Sequence, residues 1–332
     1  MLVVTGANGF LGAYVVCALL QKGFQVKALK RPGAAMSEFN DISGWELGSR
    51  SPLLEKLVWA DADLTDIQSL DEAFEGAERV FHCAARISFE GGYGEMLKVN
   101  AEGTANVVNA CLKAKVGKLV YASSTAALGR TDGNAVITEE TQWSDDDNNT
   151  WYAKTKHLAE LEVWRGMEEG LQAVIVNPGI ILGAGKWDKG SCRLFGNIHK
   201  GFRFYTRGVN GFVGVKDVAA AMLMLSESRI SGQRYLLVSE NRTYEDIFRM
   251  MAGCMGKKAP QFEIRRSYVR WLKWPLRLYR LVNPRSTVTE ETMRTSVKEH
   301  RYDSDKIQNE TGFRFTPVEK VISEACKVIR GK

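Results

Sequence analysis

Histidine is scarce in this chain, with four among 332 residues. The six cysteines (Cys17, Cys83, Cys111, Cys192, Cys254, Cys326) are scattered, without a CxxC or a Cys/His pair at ligand spacing. A metal site has little to be built from, and the plain expectation is buried thiols in a reducing compartment. Seven prolines and 31 glycines in a chain that is 45% hydrophobic exclude a collagen-like, low-complexity or disordered protein. No apolar run approaches the roughly 18 residues that would span a bilayer. The opening MLVVTG lacks the charged stretch and cleavage site of a secretory signal. The expectation is a cytoplasmic globular chain, either two domains or one large α/β unit with an appended lobe. Its net charge of +6 is local: 265–285 holds seven Lys or Arg and no acid. The charge therefore gives no general argument for nucleic acid.

Short apolar runs alternate with amphipathic ones through the first half. Strands are expected at Leu2–Thr5, Gln25–Leu29, Leu57–Trp59, Arg79–Ala84, Lys118–Ala122 and Ala173–Val176, and helices at Leu11–Lys22, Ser69–Phe74, Met96–Lys115 and Tyr152–Glu168. Such alternation gives parallel strands with crossover helices on both faces, a Rossmann-type doubly wound α/β sheet with its ligand at the strands' carboxyl ends. Beyond Pro178 the pattern loosens, returning at Asp217–Glu227 (helix) and Tyr235–Val238 (strand). The expected division is a dinucleotide-binding domain of 1–178 plus 213–238, and a smaller, mostly helical substrate lobe of 179–212 plus 239–332.

The strongest motif is Thr5-Gly6-Ala7-Asn8-Gly9-Phe10-Leu11-Gly12, which follows the first strand and opens a helix. Absent side chains let backbone N–H groups approach a pyrophosphate, and the helix dipole favours the anion. Gly208, Gly211 and Gly214 repeat the spacing in RGVNGFVG. No apolar strand leads into them, so they read as a turn. The second strand ends in Lys30-Arg31 where an acid would bind a ribose diol. Two cations there favour NADP over NAD, although a solvated basic strand end would look the same.

Tyr152 and Lys156 stand four apart at a predicted helix start and share a face. An ammonium near a phenol favours phenolate and makes the tyrosine a proton donor and acceptor. Ser123-Ser124-Thr125, at a strand's end, is placed to meet that phenol. Tyr302 and Lys306 also fit YxxxK, but lie in a polar tail segment without such a partner.

Taken together, these glycines, Asp63-Leu64, HCAA at 82–85, Asn100, the SST segment, YAKTK, NPGIILGAGKW, FVGVKDVA and LLVSENRTYEDIF resemble the extended short-chain dehydrogenase/reductase family. The chain is most similar to its dihydroflavonol reductase-like and 3β-hydroxysteroid dehydrogenase-like branch, the NAD-dependent epimerase/dehydratases. The resemblance implies that Tyr152 exchanges a proton with the substrate oxygen, that Lys156 holds the nicotinamide ribose and depresses the Tyr152 pKa, and that Ser124 hydrogen-bonds the substrate. It places Asp63 and Leu64 about the adenine, Ala84 and Ala85 along the cofactor, and Asn177 and Pro178 near the nicotinamide. Arg31 matches the family's reader of the 2′-phosphate. Asn100 would fix a helix or water near the site, or merely make a helix-internal hydrogen bond.

Three functions compete. A reductase or dehydrogenase of a carbonyl or secondary alcohol is favoured over a sugar-nucleotide epimerase or dehydratase, because Ser124 is followed by Thr125-Ala126-Ala127-Leu128 without a carboxylate. A non-catalytic NADP-binding sensor or scaffold would usually have lost Tyr152 or Lys156. Ile87, Ser88, Phe89, Leu128, Trp187, Phe204 and Tyr205 are candidate pocket residues whose apolar character suits an aromatic or steroid-like carbonyl, though each could equally be core. At 265–282 a helical stripe of Arg and Lys among aromatics, interrupted by Pro275, reads as a lid of the substrate lobe. The sharper alternative is an amphipathic element resting on an anionic membrane. A homodimer is plausible from the family resemblance alone.

Overall fold

The computed structural model describes residues 1–88, 92–129, 135–145, 149–265, 267 and 290–330. Phe89 and nearly all of 265–282 lie outside them. Along the chain run β1 (Leu2–Thr5), α1 (Phe10–Gln21), β2 (Val26–Lys30), α2 (Ser37–Glu46), β3 (Leu57–Asp61), α3 (Ile67–Phe74), β4 (Arg79–His82), α4 (Tyr93–Met96), α5 (Gly103–Lys113), β5 (Lys118–Ala122), α6 (Trp151–Glu168) and β6 (Ala173–Pro178). There follow β7 (Ile180–Leu182), α7 (Arg193–His199), β8 (Phe204–Tyr205), β9 (Val209–Gly214), α8 (Val215–Glu227), β10 (Gln233–Leu237), β11 (Glu240–Thr243), α9 (Tyr244–Met255), β12 (Phe262–Glu263), α10 (Glu290–Ser296), α11 (Asp305–Thr311) and α12 (Val318–Arg330).

Seven strands form one parallel sheet in the order β10-β6-β5-β4-β1-β2-β3. The strand order reverses between β1 and β4, which opens a crevice at their carboxyl ends. Buried β-branched runs such as Leu2–Val4 and Ala173–Val176 suit strands covered on both faces. One face packs on α1 and α8, through Val15, Leu19, Val218 and Met222; the other packs on α3, α5 and α6, through Leu70, Val107 and Val163. Asp66 caps α3 by accepting from Gln68 and Ser69 N–H, and Thr150 caps α6 by accepting from Ala153 N–H. The expected strands and crossover helices of the first half are present, with boundaries moved by a few residues.

Several expectations are corrected. The stretch expected at Met96–Lys115 is continuously helical as far as Lys113, but a π-helical segment at Leu97–Glu102 joins α4 to α5 and carries Asn100. RGVNGFVG is a strand, β9, paired with β7 and β11 in a second, three-stranded sheet. Gly211 lets it pass beneath Val238 and Tyr302, which an added Cβ would meet at 2.7 and 2.8 Å. Close packing, and not a bend, accounts for that glycine. Tyr302 is buried beside Leu128, Leu236 and Val238, and its backbone pairs with the Asn241 side chain. Asp217 on α8 accepts from Thr316 N–H and Oγ1, both at 2.8 Å, which ties the C-terminal segment to the sheet domain.

The cysteines also differ from expectation. Cys17, Cys111 and Cys192 are buried thiols and Cys83 is half-buried, but Cys254 and Cys326 form a disulfide across 72 residues. The two lie on α9 and α12, which pack together in a separate core with Phe248, Met251 and Ile322. Helix packing brings them within reach, so their spacing carried no signal. Cys254→Ser should therefore lower stability in non-reducing urea denaturation, by about 2–4 kcal/mol given the long loop the bridge closes. The same substitution should have a much smaller effect under reducing conditions. Equal stability of both proteins without reductant would show that the bridge does not form.

Candidate active site

The turn after β1 is shaped for close approach. Gly6 has φ +64°, and a Cβ on it would come within 2.7 Å of the Ala84 backbone. A Cβ on Gly12 would stand 2.2 Å from the Gly6 carbonyl oxygen. α1 begins with no side-chain cap and no acid in its first turn. Its first-turn N–H groups are thus left for an anion, and the residues present fit the pyrophosphate of a dinucleotide. Asn8 Nδ2 donates to the Ala35 carbonyl at 3.2 Å, and Ala84 N–H donates to Thr5 Oγ1 at 3.3 Å. These bonds tie the turn to its neighbours on both sides.

This turn is one end of a continuous cavity of about 1030 Å³. Thr5, Gly6, Asn8, Gly9, Phe10, Leu11 and Gly12 line it, with Lys30, Arg31, Asp63, Leu64, Ala84, Ala85 and Pro178. The two expected phosphate-facing cations differ. Lys30 is already paired with Asp61 across β2 and β3, whereas Arg31 is exposed at the cavity. Asp63 is held below the usual carboxylate range, first by the Thr65 N–H it accepts and also by the Arg31 charge.

Ser124, Tyr152 and Lys156 line the same cavity. Burial pushes the Tyr152 phenol up to about 12, and the Ser124 hydroxyl beside it works the other way. Tyr152 is therefore a neutral proton donor near pH 7. Lys156 is 1% exposed; its Nζ donates to Tyr121 OH at 2.6 Å and to the Ala122 carbonyl at 2.9 Å. Burial lowers its pKa to about 7, opposed by the Glu160 charge. The ammonium is thus held by Tyr121 and the Ala122 carbonyl.

The sequence pattern of the NAD dependent epimerase/dehydratase family matches residues 2–237. The chain belongs to that family. It is accordingly an NAD(P)-dependent enzyme of the extended short-chain dehydrogenase/reductase type. Cinnamoyl-CoA reductase 1 of Petunia hybrida is 29% identical to it, over 99% of this chain and 92% of that protein. Sterol demethylase protein B of Methylococcus capsulatus is 32% identical over 79% of this chain and 76% of that protein. The crystal structure of gox2253 superposes with a TM-score of 0.82 at 29% identity, covering 100% of this chain and 98% of that one.

In this short-chain-type enzyme the remaining expected residues fall into two groups. Tyr205, Phe204 and Ile87 line the cavity, and Phe204 stands 46% exposed at its rim. Leu128 is 1% exposed in the cluster with Tyr302, and Trp187 packs against His199 and the α7–α9 core, so both belong to packing instead of the pocket. Asn177 stands behind the wall: its Nδ2 donates to the Ser124 carbonyl at 3.0 Å and to Glu160. Asn100 makes no helix-internal bond with its side chain. Its Oδ1 accepts from Arg86 N–H at 2.7 Å, and its Nδ2 donates to the Arg86 carbonyl at 2.9 Å and to Thr155 Oγ1 at 3.1 Å. The strand-end loop after β4 is thereby locked to the helix that carries Tyr152. The π-turn aims that amide inward, as such turns often do at functional sites.

Sequence reasoning missed the pocket's far end. Tyr244, Phe248, Ile264, Met293, His300 and Tyr302 line it, together with Asn210. They come from four separate segments, so only the fold brings them together. It also missed His82, fully buried between Thr5 Oγ1 at 2.7 Å and Thr104 Oγ1 at 3.0 Å. Burial drives the pKa of that imidazole down to about 3, which keeps it neutral. Asn100→Ala would leave the Arg86 N–H and carbonyl unpaired and should cost about 2–3 kcal/mol in urea denaturation. An unchanged denaturation midpoint would show that the clamp contributes nothing.

Proposed function

We propose that the chain is an NADP(H)-dependent reductase of a carbonyl on an extended apolar or aromatic substrate. The observation that carries this reading is the position of Tyr152 and Ser124, between the glycine cradle and a cavity half walled by Phe202, Phe204, Tyr205, Tyr244, Phe248 and Met293. Each hydroxyl of a polyhydroxylated sugar that met these apolar walls would go unpaired at a cost, while Asn197, Thr206 and Asn210 are polar groups lining the same cavity that could orient a substrate's polar end. The names of the reductase relatives point the same way, and Thr125-Ala126-Ala127 offers no carboxylate for eliminating water.

Bound NADPH would supply the hydride, held by the cradle of Gly6, Gly9 and Gly12 with Arg31 toward its 2′-phosphate. The rest of the chemistry belongs to side chains. Ser124 donates a hydrogen bond to the substrate oxygen and orients the carbonyl. Tyr152 gives its proton to that oxygen as negative charge develops, and the raised pKa keeps the proton in place until then. Lys156 would hold the nicotinamide ribose of a bound cofactor, and its positive charge would favour the phenolate left behind. The aromatic walls exclude water from the reacting carbon.

Oxidation of NADPH, followed at its absorbance, against aromatic aldehydes, acyl-CoA thioesters and steroid ketones, with UDP-sugars alongside, tests the reading. Tyr152→Phe should reduce kcat on the best carbonyl by about 10²–10⁴ while NADPH still binds, since acid catalysis has that magnitude. Activity within a few-fold of the parent would remove Tyr152 from the mechanism. Arg31→Ser should raise the KM for NADPH about 10–100-fold, the usual worth of a charge-assisted phosphate contact, and leave that for NADH nearly unchanged. Tighter binding of NADH than NADPH by the parent protein would contradict the cofactor assignment.

A further inference from the structure

Behind the catalytic wall lies a second buried charge that the chemistry above does not use. Glu160 is 1% exposed and sits one turn beyond Lys156 on α6. An isolated carboxylate so deeply buried would be very costly, so its partners define its purpose. Asn177 Nδ2 donates to Glu160 Oε1, and Arg234 Nη1 on β10 lies 3.4 Å from Oε2. Arg234 is itself fixed by donating to the Glu139 carbonyl, while a Glu139 carboxylate oxygen accepts from Leu236 N–H at 2.8 Å. The same Asn177 amide also donates to the Ser124 carbonyl. One carboxylate therefore connects the helix of Tyr152 and Lys156, the end of β5 that bears Ser124, the end of β6 and the edge strand β10.

We propose that Glu160 is a positioning residue for the proposed reduction, fixing Ser124 through Asn177 and keeping the Lys156 ammonium charged. Its effect on turnover rests on the reductase reading; its effect on Lys156 does not. The groups facing Lys156 are His82 on β4, Cys83 just after it, Tyr121 on β5, and Tyr152 and Glu160 on α6, with Arg234 on β10 behind the carboxylate. His82 and Tyr121 are neutral near pH 7, because burial lowers the imidazole and raises the phenol. Burial likewise raises the Cys83 thiol to about 12. Glu160 is thus the carboxylate that faces the lysine; burial raises its own pKa, and the Arg234 charge and the Asn177 amide oppose that and favour the charged form. Removing its charge lowers the pH at which Lys156 loses its proton, and any step that needs the ammonium then fails at a lower pH.

The test is a titration of ¹³Cε-lysine NMR signals in the full cofactor-free chain, with Lys156→Arg assigning the resonance. Glu160→Gln keeps the shape and removes the charge, and should move the Lys156 midpoint down by about one pH unit or more. Glu160→Asp keeps the charge and should restore most of that shift. In the active enzyme the basic limb of kcat/KM should move by the same amount in the same direction. Asn177→Ala leaves the carboxylate and its Arg234 partner in place, so it should move the Lys156 midpoint less than Glu160→Gln does and lower kcat through Ser124. An unmoved midpoint in folded Glu160→Gln, or an equal drop in Glu160→Gln and Glu160→Asp, would overturn the charge role. Full kcat in Asn177→Ala would overturn the link to Ser124. Failure to reduce any carbonyl would refute the reductase reading and leave the titration result standing.

Discussion

The site depends on taking one lysine ammonium out of water. Lys156 is fully enclosed, and an ion in that position persists only where donors and acceptors replace its hydration. The fold provides them from three directions: the Tyr121 hydroxyl, the Ala122 carbonyl at the end of β5, and the Glu160 charge one helical turn away. Tyr121 stacks on His82 at 5.2 Å, and His82 is fixed between Thr5 and Thr104. The lysine's surroundings are therefore continuous with the glycine turn that begins the cofactor cradle. The glycine turn and the surroundings of Tyr152 and Lys156 form one packed unit.

This connection explains why polar residues occur where a parallel sheet would ordinarily hold only hydrocarbon. β5 and β6 are buried along their whole lengths, yet end in Ser123-Ser124 and Asn177-Pro178. The polar ends lie at the carboxyl edge, beside the crevice that opens where the strand order reverses between β4 and β1. Asn100 and Asn177 do corresponding work on either side of that edge. One fastens the loop after β4 to α6, and the other fastens the backbone of Ser124 to the same helix. Three stretches distant in sequence meet because α6 is held to the sheet by amides as well as by Val163 and Ala159 in the core.

The sheet domain was largely legible in the sequence because its signals are local. Apolar runs such as Lys118–Ala122, the glycines at 6, 9 and 12, and the Tyr152/Lys156 spacing each fit within a few residues. The part beyond Pro178 was not. β7, β9 and β11 are short and gain their partners from segments about 30 residues apart or more, so alternation could not reveal them. RGVNGFVG carries a turn-like pattern, but packing beneath Val238 and Tyr302 makes it a strand. Tyr302 reads as polar tail because its neighbours in sequence are charged, while its neighbours in space are Leu128 and Val238. Trp187 and Leu128 fail as pocket residues for the reverse reason: apolar character cannot tell a wall from a core. Glu160 and Arg234 gave no signal, since an acid on a helix and an Arg on an edge strand usually face water.

In the proposed reduction a hydride passes from cofactor to carbonyl carbon while the protein supplies the proton. The most direct measurement uses NADPH carrying deuterium at one face of nicotinamide C4, with the best carbonyl found and mass spectrometry of the alcohol. Reduction at this site predicts a single deuterium on the carbinol carbon from one labelled face only, with one NADPH consumed per alcohol formed. Product without deuterium from either face, or substrate converted with no net consumption of cofactor, would contradict it.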